Sequence, residues 1–418
     1  AVDGRVYPSG TISDVQLALQ RIGGNPTMGA LSTFVRTTEG AYAIVALLEN
    51  SLLVARDFLG LRPLYYADEK DVFAVASERK ALWDLGAEKV KVFPPGVVAQ
   101  VERSGACFSP AKRVETSTTR DIGLEEAACK LQELLRQSII RETSDVDHVG
   151  IAFSGGLDST VLAAVAKETG LEIELVTIGS AFDAELEHAK RAAETLELRQ
   201  RIQIVEPTEV ETLLKKVVWC VEEPTVLSVE VGMAMYIVSS LAVKEGFPVL
   251  MLGQGSDELF GGYSRFLEVY AAKGARAVKQ AMYESLRDAY RVNFHRDEQV
   301  SASLGVELRL PFVHPAVVEF GLTIPLHLMI KSPEDRTRKW VLRRMAQDIG
   351  LPEFIVWRSK KAIQYSTGID DALRKLAKRR GTRLLNLIYE TFSKVFDIPI
   401  KHIFERVDHS SEAYVRQK

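Results

Sequence analysis

The sequence Ser-Gly-Gly-Leu-Asp-Ser, which begins at Ser154, combines the residue types that a polyphosphate site requires. Gly155 and Gly156 carry no side chain that would keep a phosphate away from the backbone. The hydroxyl groups of Ser154 and Ser159 can donate hydrogen bonds, and Asp158 supplies a carboxylate that could hold Mg²⁺. We predict that this turn binds pyrophosphate; an ordinary glycine turn between a strand and a helix is the alternative.

Two common nucleotide-binding patterns do not fit this turn. A P-loop requires a Lys after its glycines to reach the terminal phosphates, and no Lys follows Gly156. The dinucleotide pattern Gly-x-Gly-x-x-Gly is also absent, because Gly253, Gln254 and Gly255 are followed by Ser-Asp-Glu. The remaining chemistry is cleavage of ATP to AMP and pyrophosphate, in which the turn would hold the leaving group.

A second glycine-rich turn, residues 252–263 (LGQGSDELFGGY), follows another apolar segment and carries two acids. Its Asp257 could complete a Mg²⁺ site together with Asp158. The alternative role for Asp257 is capping of the helix that follows it.

The segments around both turns predict an α/β domain. Strand-like segments lie at 149–153, 173–178, 202–205 and 249–252, with helices between them that include one starting near Ser159 and one over 184–195. This alternation predicts a doubly wound, mostly parallel sheet with helices on both faces. Ligands bind beyond the carboxyl ends of the strands in such sheets, where both turns fall. From residue 264 onward the pattern is chiefly helical and predicts a helical C-terminal extension.

The first part of the chain has a different pattern. Short apolar or alternating runs predict strands and a compact β-rich domain over roughly residues 29–101; the clearest runs are 41–46, 52–55 and 97–101. Residues 102–123 are polar and typical of a surface linker. We therefore place the domain boundary near residue 120, which gives domains of 1–120 and 121–418.

Composition favours small-molecule chemistry. The 53 basic and 56 acidic side chains nearly cancel, so we expect neither nucleic acid nor an anionic membrane as partner. Three scattered cysteines fit a reducing, cytoplasmic environment better than a disulfide framework. The longest apolar stretches are far shorter than the roughly 20 residues that span a bilayer, so we expect no membrane segment.

Together the two turns resemble the synthetase domain of asparagine synthetases and the related β-lactam synthetases, whose fold is that of the PP-loop ATP pyrophosphatases. Further landmarks of this family follow in order; they are Arg296-Asp297, 305–312 (GVELRLPF), 339–343 (KWVLR), Leu351-Pro352 and 358–360 (RSK). The resemblance covers nearly all of residues 120–370. It implies an ATP-dependent carbon–nitrogen ligase with an acyl-adenylate intermediate, ATP as substrate and Mg²⁺ as cofactor.

The resemblance also implies roles for individual residues. Those expected to bind ATP are Ser154, Gly155, Gly156, Asp158 and Ser159 at the pyrophosphate, and Ile178, Leu252 and Gly253 around the adenosine. Asp158 and Asp257 would hold Mg²⁺. Lys339 and Lys360 would face the phosphates as catalytic residues, and Lys360 could also stabilise the tetrahedral intermediate. For Lys361 a solvated surface charge is the expected role.

Two residues depart from the family pattern. Gln254 stands where asparagine synthetases have Glu and β-lactam synthetases have Tyr. A neutral amide cannot accept a proton as a carboxylate does, although it can orient a substrate by hydrogen bonds. His314 stands where the family usually has Asp, which we interpret as a structural difference. Gln254 leaves the identities of the acid and the amine open.

The first domain resembles the later part of a class II glutaminase domain, an Ntn hydrolase. The matching segments are 3–7 (DGRVY), 56–66 (RDFLGLRPLYY), 76–82 (ASERKAL) and 93–96 (FPPG). Such glutaminases use an N-terminal Cys whose free α-amine serves as the base. The first residue here is Ala1, so we expect a partial domain that does not hydrolyse glutamine, with nitrogen supplied by ammonia or by the substrate's own amine.

The leading hypothesis is synthesis of an amide from a carboxylic acid, with aspartate favoured, and ammonia. Closure of an amide within one molecule, as in β-lactam synthetases, is the second enzymatic hypothesis. A tRNA-modifying adenylating enzyme is the third hypothesis. It would normally need a basic face and paired cysteines, so the net charge of −3 and the three scattered cysteines argue against it. A non-catalytic relative that binds ATP without exchanging pyrophosphate is the fourth hypothesis. The resemblance also suggests a homodimer.

Overall fold

The computed structural model describes residues 1–8, 12–69, 72–115, 118–181, 183–359 and 367–403. Its first part contains two antiparallel sheets. The first sheet has the strand order β1-β2-β3-β7-β8 and the second has the order β5-β4-β6. The strands are β1 (Val2–Tyr7), β2 (Glu39–Leu47), β3 (Leu52–Arg56), β4 (Tyr65–Glu69), β5 (Val72–Ala76), β6 (Lys91–Val92), β7 (Val97–Glu102) and β8 (Gly105–Pro110).

Three helices accompany these sheets: α1 (Asp14–Arg21), α2 (Met28–Thr37) and α3 (Arg79–Asp84). Phe34 on α2 packs edge-to-face on Tyr42 of β2, within a core that also includes Leu31 and Leu53. Helices α1 and α2 therefore cover the apolar face of the first sheet, whereas α3 contacts β4 and β5 of the second sheet. The sequence predicted the strands β2, β3 and β7 correctly but missed α1 and α2.

The second part is built on a parallel sheet with the order β11-β10-β9-β12-β13. Its strands are β9 (His148–Ala152), β10 (Glu172–Gly179), β11 (Gln200–Ile204), β12 (Val249–Met251) and β13 (Glu307–Arg309). When these five strands are numbered 1 to 5 in chain order, their order across the sheet is 3-2-1-4-5, which is the pattern of a doubly wound sheet. The order reverses between β9 and β12, and a ligand crevice opens at such a switch point.

Helices surround this sheet and continue past it. They are α4 (Leu124–Glu142), α5 (Leu157–Lys167), α6 (Ala184–Leu196), α7 (Pro207–Val221), α8 (Val226–Lys244), α9 (Ser256–Phe260), α10 (Arg265–Ala289), α11 (His295–Ala302), α12 (Pro315–Thr323), α13 (Trp340–Asp348), α14 (Glu353–Val356), α15 (Ile369–Arg379) and α16 (Leu384–Phe396). Gly274 interrupts α10 with a non-helical conformation. The predicted parallel sheet and helical extension are confirmed.

Two boundaries differ from the predictions. Helix α5 begins at Leu157 rather than near Ser159, because Gly156 serves as its N-cap. The segment predicted as a linker contains β8, which pairs along its whole length with β7. Its residues are mostly exposed, since it is an edge strand, and this explains why its sequence appears polar.

Helix α8 is long and apolar enough to cross a membrane by length and composition alone. Glu230 interrupts its apolar residues, so the sequence contains no long uninterrupted apolar stretch there. Within the fold, 67% of its apolar window is buried, as expected for the core helix of a globular domain. Val229, Met233 and Ile237 belong to the main hydrophobic core beside the parallel sheet. The helix is thus accounted for by packing.

A buried glutamate joins the two parts of the chain. Glu222 follows α7, is fully buried, and adopts a left-handed conformation with φ of 56°. Its carboxylate accepts hydrogen bonds from the backbone N–H groups of Arg79 and Lys80 at 2.7 and 3.1 Å, and from the Lys80 ammonium at 3.0 Å. The side-chain amide of Gln299 donates to the same carboxylate at 2.8 Å. One side chain therefore binds the start of α3 to the synthetase part.

We expect Glu222→Ala to lower the free energy of unfolding by about 3 kcal/mol or more, because several buried donors lose their acceptor together. Glu197→Ala is the matched control, since Glu197 has the same left-handed conformation but a side chain that is 83% exposed. Glu197→Ala should lower the free energy of unfolding by less than about 1 kcal/mol. Urea denaturation measures both; equal losses would contradict the assigned role of Glu222.

Candidate active site

The first turn leaves β9 at the switch point and runs into α5. The hydroxyl of Ser154 lies 3.2 Å from that of Ser159 and accepts a hydrogen bond from the Gly156 backbone N–H at 3.3 Å. Gly155 has φ of 68°, and a side chain there would meet the backbone of Ala189. The turn therefore needs glycine at this position, and it presents the N–H groups at the start of α5 to the crevice.

The second turn, after β12, contacts the first. A side-chain carbon placed on Gly253 would come within 3.1 Å of Asp158 Cβ. One placed on Gly262 would collide with Asp257 Oδ1 and with the Lys339 side chain. Glycines at these two positions therefore permit the close approach of three segments of the chain.

The ammonium group of Lys339 lies at the centre of this approach. Its Nζ is 2.7 Å from both carboxylate oxygens of Asp158 and 2.6 Å from Asp257 Oδ1. It also donates to the Ser256 hydroxyl at 2.8 Å. Lys339 is only 4% exposed, so this contact is a buried cluster of one cation and two anions.

The backbone that carries Lys339 is strained. Arg338 and Lys339 both adopt left-handed conformations, with φ of 52° and 54°, which are uncommon for residues with side chains. The guanidinium of Arg343 holds the segment by donating to the carbonyls of Arg338 and Thr337 at 2.7 and 2.6 Å. Asp335 accepts from the backbone N–H groups of Thr337 and Arg338. Arg343 and Asp335 therefore hold the strained backbone that positions the Lys339 ammonium.

Burial and charge act against each other within the cluster. Burial lowers the pKa of the Lys339 ammonium below its ordinary value, while the charge of Asp158 and its hydrogen bond act in the opposite direction. Burial also raises the pKa of Glu258, although the hydroxyl of Tyr263 and the side-chain amide of Asn293 bind its carboxylate. The crevice is thus a desolvated site in which a further charge would interact strongly.

Asp158 and Asp257 fit a magnesium site that ATP would complete. Both carboxylates contact the Lys339 ammonium, which offsets one of their two negative charges. Among the described residues no group of three or more His, Cys, Asp or Glu side chains could hold a metal by itself. Mg²⁺ commonly takes one or two carboxylates and completes its shell with phosphate and water oxygens, so two aspartates are sufficient.

Gln254, in the second turn, contacts Asp297. The Gln254 side-chain amide nitrogen donates to one Asp297 oxygen, and Arg296 Nε donates to the other at 2.7 Å. The Gln254 amide oxygen is buried and has no hydrogen-bond partner among the residues that the structure describes. Burial raises the pKa of Asp297, and the Arg296 charge opposes that effect.

The remaining predicted residues lie as follows. Ile178 is half-buried near the carboxyl end of β10, and Leu252 is buried directly after β12, with its N–H bonded to the Arg309 carbonyl. Lys360 lies outside the described residues, so its role stays a prediction. The sequence missed Ser256, which contacts Lys339, and it gave Asp297 no role, although both lie in segments that carry the family resemblance.

Comparison with known proteins places these motifs in a family. The family described as Asparagine synthase matches residues 130–275 and 269–399, and the one described as Glutamine amidotransferase domain matches 5–84. A Methanocaldococcus jannaschii protein named as a glutamine-hydrolyzing asparagine synthetase is 32% identical over 82% of this chain and 71% of its own length. The chain belongs to the asparagine synthase family.

A second relative, the glutamine-hydrolyzing asparagine synthetase of Zea mays, is 26% identical over 90% of this chain and 67% of its own length. Membership of the asparagine synthase family makes the chain an ATP-dependent ligase. The partial glutaminase-like domain before a PP-loop synthetase domain is the fold class that the sequence predicted.

Solved structures give weaker likenesses. NMN synthetase from Francisella tularensis is 15% identical over 66% of this chain and 94% of that chain, with a TM-score of 0.34. The ammonia-dependent NAD synthetase from Campylobacter jejuni is 15% identical over 65% of this chain and 94% of that chain, with a TM-score of 0.30. These values are too low to support an argument, so the fold assignment depends on the sheet order and the family match.

Replacing Lys339 by Met should destabilise the protein by about 3–5 kcal/mol, because two facing carboxylates would lose their common cation. The double variant Lys339→Met/Asp257→Asn should recover part of that loss, because one of the two charges is then removed. Thermal unfolding in the absence of nucleotide measures both. If the double variant is no more stable than the single variant, the Lys339 ammonium does not hold the two turns together.

Proposed function

We propose that this protein joins a carboxylic acid, with aspartate favoured, to ammonia and forms an amide, AMP and pyrophosphate. The observation that carries the proposal is the convergence of Asp158, Asp257 and Lys339 beside the turn from Ser154 to Ser159. This arrangement provides donors for pyrophosphate and a fixed cation, together with the carboxylates that magnesium requires.

In the first step, a carboxylate oxygen of the acid attacks the α-phosphorus of ATP, and the bond to pyrophosphate breaks. The N–H groups at the start of α5 and the Ser154 and Ser159 hydroxyls hold the leaving pyrophosphate. When ATP binds, the Lys339 ammonium can exchange its carboxylate contacts for phosphate oxygens and stabilise the charge that develops there. Mg²⁺, held by Asp158 and Asp257, would neutralise further phosphate charge.

In the second step, ammonia attacks the acyl carbon of the adenylate, AMP leaves, and the nitrogen gives up a proton. The buried amide oxygen of Gln254 can accept a hydrogen bond from the incoming nitrogen, because Asp297 already binds the amide nitrogen. Gln254 cannot itself take the proton, so its proposed role is orientation. Lys360 is proposed to stabilise the tetrahedral intermediate.

Aspartate is favoured as the acid because the named relatives are asparagine synthetases. Closure of an amide within one substrate molecule is the second candidate, since Gln254 differs from the Glu that the resemblance leads us to expect. An assay with the acid and ATP but without ammonia distinguishes the two reactions. Turnover to AMP should stop if the enzyme forms asparagine and should continue if it closes a ring within one substrate molecule.

ATP–pyrophosphate exchange, screened across carboxylic acids, tests the adenylation step. We expect aspartate to support exchange, and Asp158→Asn and Lys360→Ala each to reduce it by about a hundredfold or more, because transition-state charge loses its stabilisation. Lys361→Ala is the control for Lys360 and should change exchange by less than about twofold. The proposal is wrong if no acid supports exchange or if Lys360→Ala keeps full activity.

Gln254→Leu tests the second step. The variant should lower the ratio of amide formation to pyrophosphate exchange by about tenfold to a hundredfold, because the nucleophile loses an orienting hydrogen bond. Gln280→Leu, at an exposed position on α10, is the control and should leave the ratio unchanged. Both rates are measured on the same enzyme preparation. An equal fall in both rates would show that Gln254 acts in adenylation instead.

A further inference from the structure

A large cleft lies away from the residues assigned to ATP. Its volume is about 1040 Å³, and its walls come from the first domain on one side and from helices α4 and α12 on the other. None of its lining residues belongs to either glycine-rich turn or to the Lys339 segment. This volume is at the upper end of the range for small-molecule sites, so the cleft could hold a ligand of nucleotide size.

The cleft is strongly basic. Five of its lining residues are cationic and two are acidic, so five minus two gives a local charge of +3, whereas the whole chain has a formal charge of −3. The five basic residues are Arg36, Lys112, Arg113, Arg120 and Lys130. A concentration of positive charge in a concave surface of an acidic protein raises the local concentration of anions.

Most of this charge is not neutralised within the protein. Lys112 is 3.5 Å from Glu319, a partly exposed pair. In the part of the chain that the structure describes, Arg36, Arg113, Arg120 and Lys130 form no ion pair with a carboxylate. Arg36 instead donates to the Thr33 hydroxyl. Four cations are therefore available to an anionic ligand.

The walls of the cleft are fixed by backbone contacts. The N–H groups of Ala111 and Lys112 both donate to the Gly96 carbonyl, at 2.8 and 3.0 Å, and the Tyr283 hydroxyl donates to the Val114 carbonyl at 2.9 Å. The Arg120 N–H donates to the Thr323 carbonyl at 2.9 Å. The bonds of Tyr283 and Arg120 connect the first domain to the synthetase part, and all four bonds pre-organise the cationic wall, which reduces the entropic cost of binding.

Two aromatic rings support cations in the cleft. Lys112 Nζ lies 4.6 Å from the Phe58 ring centroid, and the Arg120 guanidinium lies 5.8 Å from that of Phe320. Phe58 belongs to the first domain and Phe320 to α12, and the cation on the α4 side of the cleft is Lys130. Such contacts hold charged groups in place without neutralising them.

We propose that this cleft binds a small polyanion that carries phosphate groups. The excess of three positive charges in the cleft favours a phosphate-bearing ligand over a carboxylate. A single carboxylate would leave two of those charges without a counter-charge. A phosphate monoester carries about −1.5 to −2 at neutral pH, so two linked phosphates match the cleft. Arginine guanidinium groups also bind phosphate oxygens in pairs. A ligand here would contact both domains at once.

Calorimetric titration with inorganic tripolyphosphate tests the proposal on the full chain. The turn at Ser154 is itself a proposed polyanion site, so the decisive quantity is the number of molecules bound per chain. We expect two for the unaltered protein and one for Arg113→Ala/Lys130→Ala, whose cleft affinity should fall at least about tenfold. Lys215→Ala/Lys216→Ala, which removes two exposed cations from α7, should still bind two.

The inference does not depend on the proposed function. If the turn at Ser154 does not bind tripolyphosphate, we expect one molecule bound by the unaltered protein, none by the cleft variant and one by the α7 variant. The cleft assignment then stands. The assignment is overturned if the cleft variant binds as many molecules as the unaltered protein, or if the α7 variant loses as much. A dimer that light scattering finds in the unaltered protein but not in the cleft variant would also overturn it, because the cleft would then be a subunit interface.

Discussion

The contact on which the active site depends is the one between the Lys339 ammonium and the carboxylates of Asp158 and Asp257. These three residues come from three separate segments, at the start of α5, after β12 and before α13. Each charge would be costly to bury alone, and the ammonium offsets one of the two negative charges. The cluster therefore specifies how close the two glycine-rich turns approach, and the missing side chains at Gly253 and Gly262 make that approach possible.

The same contact connects fold and chemistry. The order of the parallel sheet reverses between the neighbouring strands β9 and β12, and both glycine-rich turns follow the carboxyl ends of these strands, where ligands bind in such sheets. The Lys339 ammonium connects the two turns by contacting both carboxylates. Under the proposed function, phosphate oxygens of ATP could take over the contacts of the ammonium, and Asp158 and Asp257 would hold Mg²⁺. The charges that stabilise the fold are thus also those that ATP would use.

The sequence predicted the parallel sheet and the residues of both turns, because buried strands and glycine turns leave local signals. It could not predict that Lys339 bridges Asp158 and Asp257, since the lysine is about 180 positions from one aspartate and about 80 from the other. Only the fold brings them together. The contact between Gln254 and Asp297 was missed because these residues are also far apart in the sequence, although both lie in segments that carry the family resemblance. Strand β8 was missed because an exposed edge strand has the composition of a linker.

Gln254 shows how the fold changes the meaning of a substitution. From the sequence, an amide in place of a carboxylate indicates the loss of a base. In the structure, Asp297 accepts a hydrogen bond from the Gln254 amide nitrogen, and the Gln254 amide oxygen is buried. The Asp297 carboxylate is also paired with Arg296. Under the proposed function, the Gln254 amide oxygen could accept a hydrogen bond from a nitrogen nucleophile but could not take its proton, so orientation is retained while basicity is lost.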